Sequence, residues 1–184
     1  LDLAVKVVTA VPGSSFDPAR RAETEARALA RLAGIDGVVA LHEVGRTDDG
    51  AAWLVHDLAA GGSLAARAPW SSDDLATIGS VLARTLAAAH DRGVTHRDLK
   101  PDNVFITPSS AYPVRVIDWG IAHHLAGARY TDINEAIGTP TYMAPEQARG
   151  GSPHGTCDVY GLGVLAYHAL AGRPPFVGAS AIEI

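Results

Sequence analysis

The sequence has little cysteine and no long apolar run. Its single cysteine, Cys157, cannot form an internal disulfide bond, and no spaced cluster of cysteine and histidine indicates a zinc site. These absences favour a reducing, cytoplasmic environment. The most apolar stretch, Val159 to Gly172, is interrupted by His168 and is well short of the ~20 apolar residues that cross a membrane. The sequence therefore predicts no membrane segment in this chain.

Positive charge is also scarce. The 184 residues carry a formal net charge of -5 at pH 7. We expect no nucleic-acid partner, because such proteins need a surface that neutralises phosphates. Hydrophobic residues make up 47% of the chain. That length and content suffice for one substantial core, or for two small lobes that share a cleft.

The chain begins with a predicted β-strand over residues 1–8. Because successive side chains of a strand point to opposite faces, Lys6 shares one face with the apolar residues Ala4 and Val8. A charged residue on an apolar face either extends to solvent or finds a partner, since unpaired burial costs roughly several kcal/mol. The pattern therefore predicts a partner for Lys6.

A helix is predicted from Asp17 to about Ala33, because an N-capping aspartate precedes a proline. Spacings of four and three residues put Glu25 on one stripe with Leu29 and Leu32. Glu25 is thus the second charged residue on an apolar face, and we expect it to pair with Lys6. The alternative partner is Glu23, on a more solvated face of the same helix.

The rest of the pattern predicts two hairpins and two long helices. The hairpins combine Val38 to Val44 with Ala52 to Leu58, and Val104 to Ile106 with Val114 to Ile117. The first long helix is capped by Ser71 to Asp74 and ends near Gly93, and the second is capped by Thr156, ends at Ala171 and is apolar on nearly every side.

Three short motifs follow one another in the second half of the chain: His96-Arg97-Asp98-Leu99-Lys100-Pro101-Asp102-Asn103, then Asp118-Trp119-Gly120, then Ala144-Pro145-Glu146. In this order and spacing they resemble the catalytic loop, the metal-binding tripeptide and the end of the activation segment of protein kinases. The chain is similar to catalytic domains of bacterial eukaryotic-type (Hanks-type) serine/threonine protein kinases.

The resemblance spans nearly the whole chain and implies an α+β, two-lobe fold. Residues 1–58 would form a small, β-rich N-lobe and residues 59–184 a larger, mostly helical C-lobe. The resemblance also implies truncation at both ends, because the family's glycine-rich loop before Lys6 and its last helices are missing. The only methionine is Met143, so no initiator residue is present. We expect such a fragment to bind ATP weakly and to transfer phosphate slowly.

The reaction implied by the resemblance is transfer of the ATP γ-phosphoryl group, with Mg²⁺, to a serine or threonine of a protein. Catalysis of this kind consists mainly of positioning and of placing positive charge. Asp98 would accept or orient the hydroxyl proton, and Lys100 would neutralise the transferred group. Asn103 and Asp118 offer the hard oxygen ligands that Mg²⁺ prefers.

The residues that the resemblance assigns to the ATP site are Ala4, Lys6, Glu25, Asp57, Ala59, Ser63, Phe105 and Asp118. Lys6, held by Glu25, would contact the α- and β-phosphates. Backbone groups of Asp57 and Ala59 would bind adenine, and Ser63 would lie near the ribose. His56 occupies a position next to the adenine pocket where the family more often has an apolar residue.

The resemblance also implies regulatory residues. Arg97 would receive an activation-loop phosphate, because a guanidinium forms charge-assisted hydrogen bonds with phosphate. We predict Thr131 as an autophosphorylation site. Thr139 would bond Asp98 and Lys100 and favour serine and threonine over tyrosine as acceptors.

Two structural features complete the resemblance. Asp158 would fix the backbone of the catalytic loop, although as a helix-start charge it can also interact with the helix dipole. Four residues match the apolar stack of an assembled kinase: Leu29, Leu41, His96 and Trp119. The run Gly161-Leu162-Gly163 fits a loose dinucleotide-binding pattern, but it lies inside a predicted helix and indicates helix packing instead.

Two other functions are alternatives to the protein kinase interpretation. A pseudokinase-like ATP-binding or regulatory module would keep the fold without turnover. It has no chemical need for the full set of Lys6, Asp98, Lys100, Asn103 and Asp118. A small-molecule phosphotransferase shares the aspartate and asparagine chemistry but is not expected to carry the Gly138-Thr139 and Ala144-Pro145-Glu146 segments.

Overall fold

The computed structural model describes residues 2–9, 17–67, 71–107, 113–119, 140–151 and 154–178. A small antiparallel sheet with one helix packs beside a mostly helical part, which confirms the predicted α+β, two-lobe class. The strands are β1 (Leu3–Val8), β2 (Leu41–Arg46), β3 (Ala52–Asp57), β4 (Val104–Ile106) and β5 (Val114–Val116). The helices are α1 (Pro18–Arg31), α2 (Ser72–Asp91), α3 (Pro145–Ala148) and α4 (Gly155–Ala171).

The first sheet has the order β1-β3-β2, with both pairs antiparallel. Lys6 lies opposite Leu54 and Val8 lies opposite Ala52, so these side chains share the inner face of the sheet. Val8 is buried, whereas Val5 on the other face of the strand is exposed. The predicted alternation along β1 is therefore confirmed.

Helix α1 covers the inner face of this sheet. The Asp17 carboxylate accepts a hydrogen bond from the backbone N–H of Ala19 at 3.0 Å, which confirms the predicted N-cap. The other end of α1 is attached to the end of α2. Arg92 donates from Nη1 to the carbonyl oxygens of Arg31 (2.9 Å) and Ala33 (2.8 Å), which neutralises exposed acceptors at the negative end of the helix dipole.

The main core lies between α2, α4 and the short β4–β5 hairpin. Helix α2 begins with a capping box in which the Ser71 side chain accepts from the Asp74 N–H and the Asp74 carboxylate accepts from the Ser71 N–H. Its inner face places Leu82 and Leu86 in the core, and α4 contributes Leu165. None of the helices in the described part of the chain is long and apolar enough to cross a membrane.

Two sequence predictions about element ends are wrong. Strand β2 begins at Leu41 and not at Val38, because Val38 forms an isolated parallel bridge with Val116 of the second hairpin. Helix α4 is capped at His154 and not at Thr156. It starts at Gly155, which packs so closely on α2 that a Cβ there would lie 2.8 Å from His90 Nδ1.

Gly161 is where α4 crosses the segment that contains Leu99. A Cβ built at Gly161 would lie 3.3 Å from both the Cβ and the carbonyl oxygen of Leu99. Gly163, two residues along the same helix, is exposed, and a Cβ there would meet nothing within 4 Å. The prediction of helix packing is therefore confirmed for Gly161 only, and Gly163 takes no part in it.

We expect Gly163→Ala to stabilise the protein by up to ~1 kcal/mol, because alanine favours the helix interior. Gly161→Ala gains the same propensity but crowds Leu99, which costs about 1–3 kcal/mol, so it should be the less stable variant of the two. Urea unfolding of both variants measures the difference. Equal stabilisation by the two substitutions would show that the contact at Gly161 is loose.

Candidate active site

The loop between α2 and β4 is held by one buried carboxylate. Asp158, which is 1% exposed, accepts hydrogen bonds from the backbone N–H groups of His96 (2.8 Å) and Arg97 (2.7 Å). His90 Nε2 lies 2.8 Å from the same carboxylate. The prediction that Asp158 fixes this loop is confirmed.

Three predicted site residues meet at the end of the loop. Lys100 Nζ donates to Asp98 Oδ2 at 2.8 Å. Asn103 Nδ2 donates to the Asp98 carbonyl at 2.8 Å and to Asp98 Oδ2 at 3.2 Å. The Asp98 carboxylate is about one-third exposed. It is therefore oriented by two neighbours and still accessible to solvent.

A second group lies opposite, between the sheet and the end of β5. Lys6 Nζ lies 2.9 Å from both carboxylate oxygens of Glu25 and also contacts Asp118 Oδ1. The two groups are joined through the backbone, because the N–H of Ile117 donates to the carbonyl of Asn103 at 3.0 Å. Six of the predicted site residues thus belong to two adjoining networks.

Glu25 is the buried partner of Lys6, with only 2% of its surface exposed. Burial raises the pKa of Glu25 above its usual 4.5, and the attraction of Lys6 offsets this only in part. Glu23 points to solvent and binds Arg46 at 2.7 Å. The structure therefore confirms Glu25, and not Glu23, as the partner of Lys6.

An aromatic contact links the loop to the Asp118 segment. The rings of His96 and Trp119 are both fully buried and meet edge to face, with centroids 4.9 Å apart. His96 Nε2 donates to the Ile117 carbonyl at 2.8 Å, so Nδ1 is the acceptor for the Asp98 N–H at 3.3 Å. Leu29 is buried in the same core and Leu41 packs against it, as the predicted stack requires.

Most polar groups of Asp57, a residue expected to contact adenine, already have hydrogen-bond partners within the protein. Its N–H donates to the Ala40 carbonyl at 3.0 Å, and its carboxylate lies 2.7 Å from His42 Nε2. Its carbonyl accepts from His56 Nδ1 at 2.8 Å, a contact that the sequence does not predict. A carbonyl oxygen has two lone pairs. Of the two backbone groups of Asp57, only the carbonyl is therefore left to contact a ligand.

The remaining ATP-site candidates are Ala4, Ala59, Ser63 and Phe105. Ala4 is paired with His56 across the β1–β3 ladder. Ser63 forms an antiparallel bridge with Phe105, so these two residues are neighbours. Ala59 is partly buried and packs against the main core.

The donors expected for Mg²⁺ are Asn103 and Asp118. The amide nitrogen of Asn103 is used by Asp98, which leaves its oxygen as the available donor atom. Asp118 engages Lys6 through Oδ1 only, and its φ of 64° is unusual for a residue other than glycine. The described residues hold no cluster of three or more His, Cys, Asp or Glu side chains around a metal position. One carboxylate and one amide fit Mg²⁺, which takes few protein ligands and completes its shell with phosphate and water.

The sequence reasoning missed two residues, His90 and Gln147. His90 continues the Leu82 and Leu86 stripe of α2 at a spacing of four, so a polar residue on an apolar stripe was its signal. Gln147 bonds the Arg97 carbonyl through Nε2 at 2.8 Å. No periodicity signals it, because the contact joins residues fifty positions apart.

Two predicted regulatory residues, Thr131 and Thr139, lie outside the described residues. Arg97 is within them. Its Nε and Nη1 atoms are buried and have no hydrogen-bond partner among the described residues. A guanidinium with two such nitrogen atoms has capacity to bind an anionic group.

The sequence was also compared with protein families and with curated proteins, and the matches are to protein kinases. The family model of the protein kinase domain matches residues 2–183. The chain is 36% identical over 186 residues to the serine/threonine-protein kinase PknL of Mycobacterium bovis, covering 99% of this chain and 46% of that protein. It is 38% identical over 180 residues to the serine/threonine-protein kinase Pkn1 of Myxococcus xanthus, covering 95% of this chain and 26% of that protein.

A third relative is the serine/threonine-protein kinase PknA of Mycobacterium tuberculosis, 35% identical over 190 residues. This match covers 99% of the chain and 43% of PknA. The chain thus spans less than half the length of each of these relatives.

The raised pKa of Glu25 predicts a pH dependence of stability. Well below pH 4.5 the residue is protonated in both the folded and the unfolded protein. As the pH rises through the raised pKa, the folded protein must bury the charged form, and the corresponding stability is lost. The free energy of unfolding of the wild type should therefore fall, relative to that of Glu25→Gln, as the pH rises from the usual pKa of 4.5 through the raised pKa of the folded protein.

Urea unfolding followed by tryptophan fluorescence at several pH values measures this difference. The control is Glu23→Gln on the same helix, which removes an exposed pair with Arg46 and should change stability by at most ~1 kcal/mol. A wild type that gains stability over Glu25→Gln as the pH rises would contradict the prediction, because the attraction of Lys6 would then outweigh burial.

Proposed function

Because the chain belongs to the protein kinase domain family, we propose that the protein transfers the γ-phosphoryl group of ATP to serine or threonine hydroxyls of a protein substrate. The observation that carries this proposal is that two networks of site residues adjoin each other, joined by the backbone hydrogen bond from Ile117 to Asn103. One network orients Asp98 through Lys100 and Asn103. The other brings Lys6 against Asp118. A phosphoryl donor between them would meet both a proton acceptor and positive charge.

The chemistry assigns a separate task to each residue of the loop. Asp98 accepts the proton of the substrate hydroxyl. At the same time the hydroxyl oxygen forms a bond to the γ-phosphorus, and the bond between that phosphorus and the ADP oxygen breaks. Lys100 Nζ, 2.8 Å from Asp98 Oδ2, offsets the negative charge of the transferred group. Asp98 keeps one carboxylate oxygen for the hydroxyl, because both of its contacts from Lys100 and Asn103 use Oδ2.

The nucleotide would lie between β1 and the segment that follows β3. Lys6, positioned by Glu25, binds the α- and β-phosphates, and Asp118 lies next to them. The Asp57 carbonyl and the Ala59 backbone bind adenine, with Ser63 near the ribose. Ala4 and Phe105 line the nucleotide site. Residues 1–58 would form the N-lobe of the domain and residues 59–184 its C-lobe.

Asn103 and Asp118 are the residues that would hold Mg²⁺. When bound, the ion neutralises phosphate charge and orients the phosphates. Both side chains are already held in place: the Asn103 amide is fixed by Asp98, and the Asp118 carboxylate is fixed by Lys6.

We also propose a cytoplasmic site of action, because ATP is available there and Cys157 is a buried free thiol.

We expect Asp98→Asn to lower the rate of phosphate incorporation by about 10²–10⁴-fold, because a general base supplies acceleration of that size. The assay uses radiolabelled ATP, Mg²⁺ and the full-length protein with a serine- and threonine-containing acceptor. Asp91→Asn is the control, because it makes the same change on the exposed end of α2.

Three outcomes of this assay are distinct. Loss in Asp98→Asn with normal incorporation in Asp91→Asn supports the kinase. Equal incorporation in wild type and Asp98→Asn contradicts the role of Asp98. No incorporation in the wild type, with retained ATP binding, favours a pseudokinase-like module instead.

The regulatory residues form a further part of the proposal. Arg97 would bind the phosphate of Thr131, since its buried Nε and Nη1 atoms lack partners among the described residues. Thr139 would contact Asp98 and Lys100 and favour serine and threonine acceptors. Both threonines lie outside the described residues, and the structural support for this part of the proposal comes from Arg97 alone.

We predict that phosphopeptide mapping of the active protein finds phosphate on Thr131. The Asp98→Asn variant, purified in the same way, should lack it, because the modification requires the protein's own activity. Active wild-type protein in which Thr131 is unmodified would remove the autophosphorylation proposal and leave the proposed reaction intact.

A further inference from the structure

Arg97, the residue before Asp98, has an unusual backbone conformation. Its φ is 71°, in the left-handed region that residues with a side chain rarely adopt. Such a conformation is unfavourable and persists only where the surrounding structure holds it in place. The contacts that hold Arg97 therefore also decide the direction in which the chain continues into Asp98.

Both backbone polar groups of Arg97 are bound by side chains from elsewhere in the chain. Its N–H donates to Asp158 Oδ1 at 2.7 Å. Its carbonyl accepts from Gln147 Nε2 at 2.8 Å. Asp158 belongs to α4 and Gln147 to α3, so two separate helices hold one strained residue.

The Gln147 side chain is itself fixed in one orientation. Its Oε1 accepts from the backbone N–H of Ala144 at 3.1 Å, while its Nε2 donates to the Arg97 carbonyl. The site thus needs an acceptor on one side and a donor on the other. An amide supplies both, whereas a carboxylate has no donor and an apolar side chain has neither.

The peptide that joins Arg97 to Asp98 is held at both of its polar groups. Gln147 binds its carbonyl, and the Asp98 N–H donates to His96 Nδ1 at 3.3 Å. Because a peptide group is planar, fixing its carbonyl and its N–H fixes the plane from which the Asp98 side chain departs.

We propose that Gln147 is a positioning residue for the phosphoryl-transfer reaction, because it sets the direction of Asp98 through the Arg97 carbonyl. This inference rests on the proposed function. It also joins the Ala144-Pro145-Glu146 motif to the loop that carries Asp98, since Gln147 directly follows that motif. A displacement of segment 144–147 is thereby transmitted to the orientation of one carboxylate.

The test uses Gln147→Glu, which keeps the shape and the acceptor for Ala144 but removes the donor to Arg97 and places a carboxylate beside a carbonyl. We expect kcat to fall about tenfold, which is the size of effect expected for an unpaired, part-buried acceptor, and the KM for ATP to stay unchanged. Gln147→Met, which keeps the volume and removes both bonds, should show at least the same loss. It carries the test if the glutamate variant does not fold.

Arg149→Ala is the matched control, because Arg149 is exposed at the end of the same short helix. It should leave kcat and the KM for ATP unchanged. Thermal unfolding of the three variants identifies a loss of folded protein, which would otherwise lower the apparent kcat.

A double variant separates positioning from general damage. If Gln147 acts through Asp98, then Gln147→Glu should not lower the residual rate of Asp98→Asn any further. A further drop of about tenfold in that background would overturn the inference, as would a normal kcat in Gln147→Glu and Gln147→Met. If Asp98→Asn itself has no effect, the role of Asp98 fails, and if the wild type incorporates no phosphate, the proposed function fails. Both results are distinct from a failure confined to Gln147.

Discussion

The buried carboxylate of Asp158 is the interaction on which the rest of the site depends. A charge that is 1% exposed costs free energy unless it is fully hydrogen-bonded. Asp158 meets this need with the backbone N–H groups of His96 and Arg97 and with His90. Because its partners come from α2 and from the loop, one carboxylate joins three parts of the fold. The loop cannot take another path without depriving this carboxylate of its two backbone hydrogen bonds.

The second constraint is the sharing of one ammonium group by two carboxylates. Lys6 comes from the sheet, Glu25 from α1 and Asp118 from the end of β5, so their meeting sets the relation of three elements. Burial raises the pKa of Glu25, which means that the fold accepts an unfavourable carboxylate to keep Lys6 in place. A site of this kind gives up stability to gain a fixed positive charge.

Local signals explain what the sequence could predict. The alternation of β1 and the stripe of α1 identify Lys6 and Glu25 as partners, and the motifs identify the remaining charged residues of the site. Contacts between distant segments escape such signals. The bridge of Val38 to Val116, the start of α4 at Gly155 and the bond of Gln147 to Arg97 all depend on which surfaces meet after folding. Neither propensity nor periodicity contains that information.

The attachment of α1 by Arg92 has a mechanical consequence. A rod fastened at one end pivots there, and points farther from the pivot move through longer arcs. Glu25 is six residues from Arg31, which corresponds to a lever of about 9 Å at ~1.5 Å of rise per residue. A swing of roughly 10° about the Arg92 anchor would displace Glu25 by ~1.6 Å, on that lever length. That arc is long enough to detach Glu25 from the lysine while the anchored end of the helix, at Arg31, stays where it is.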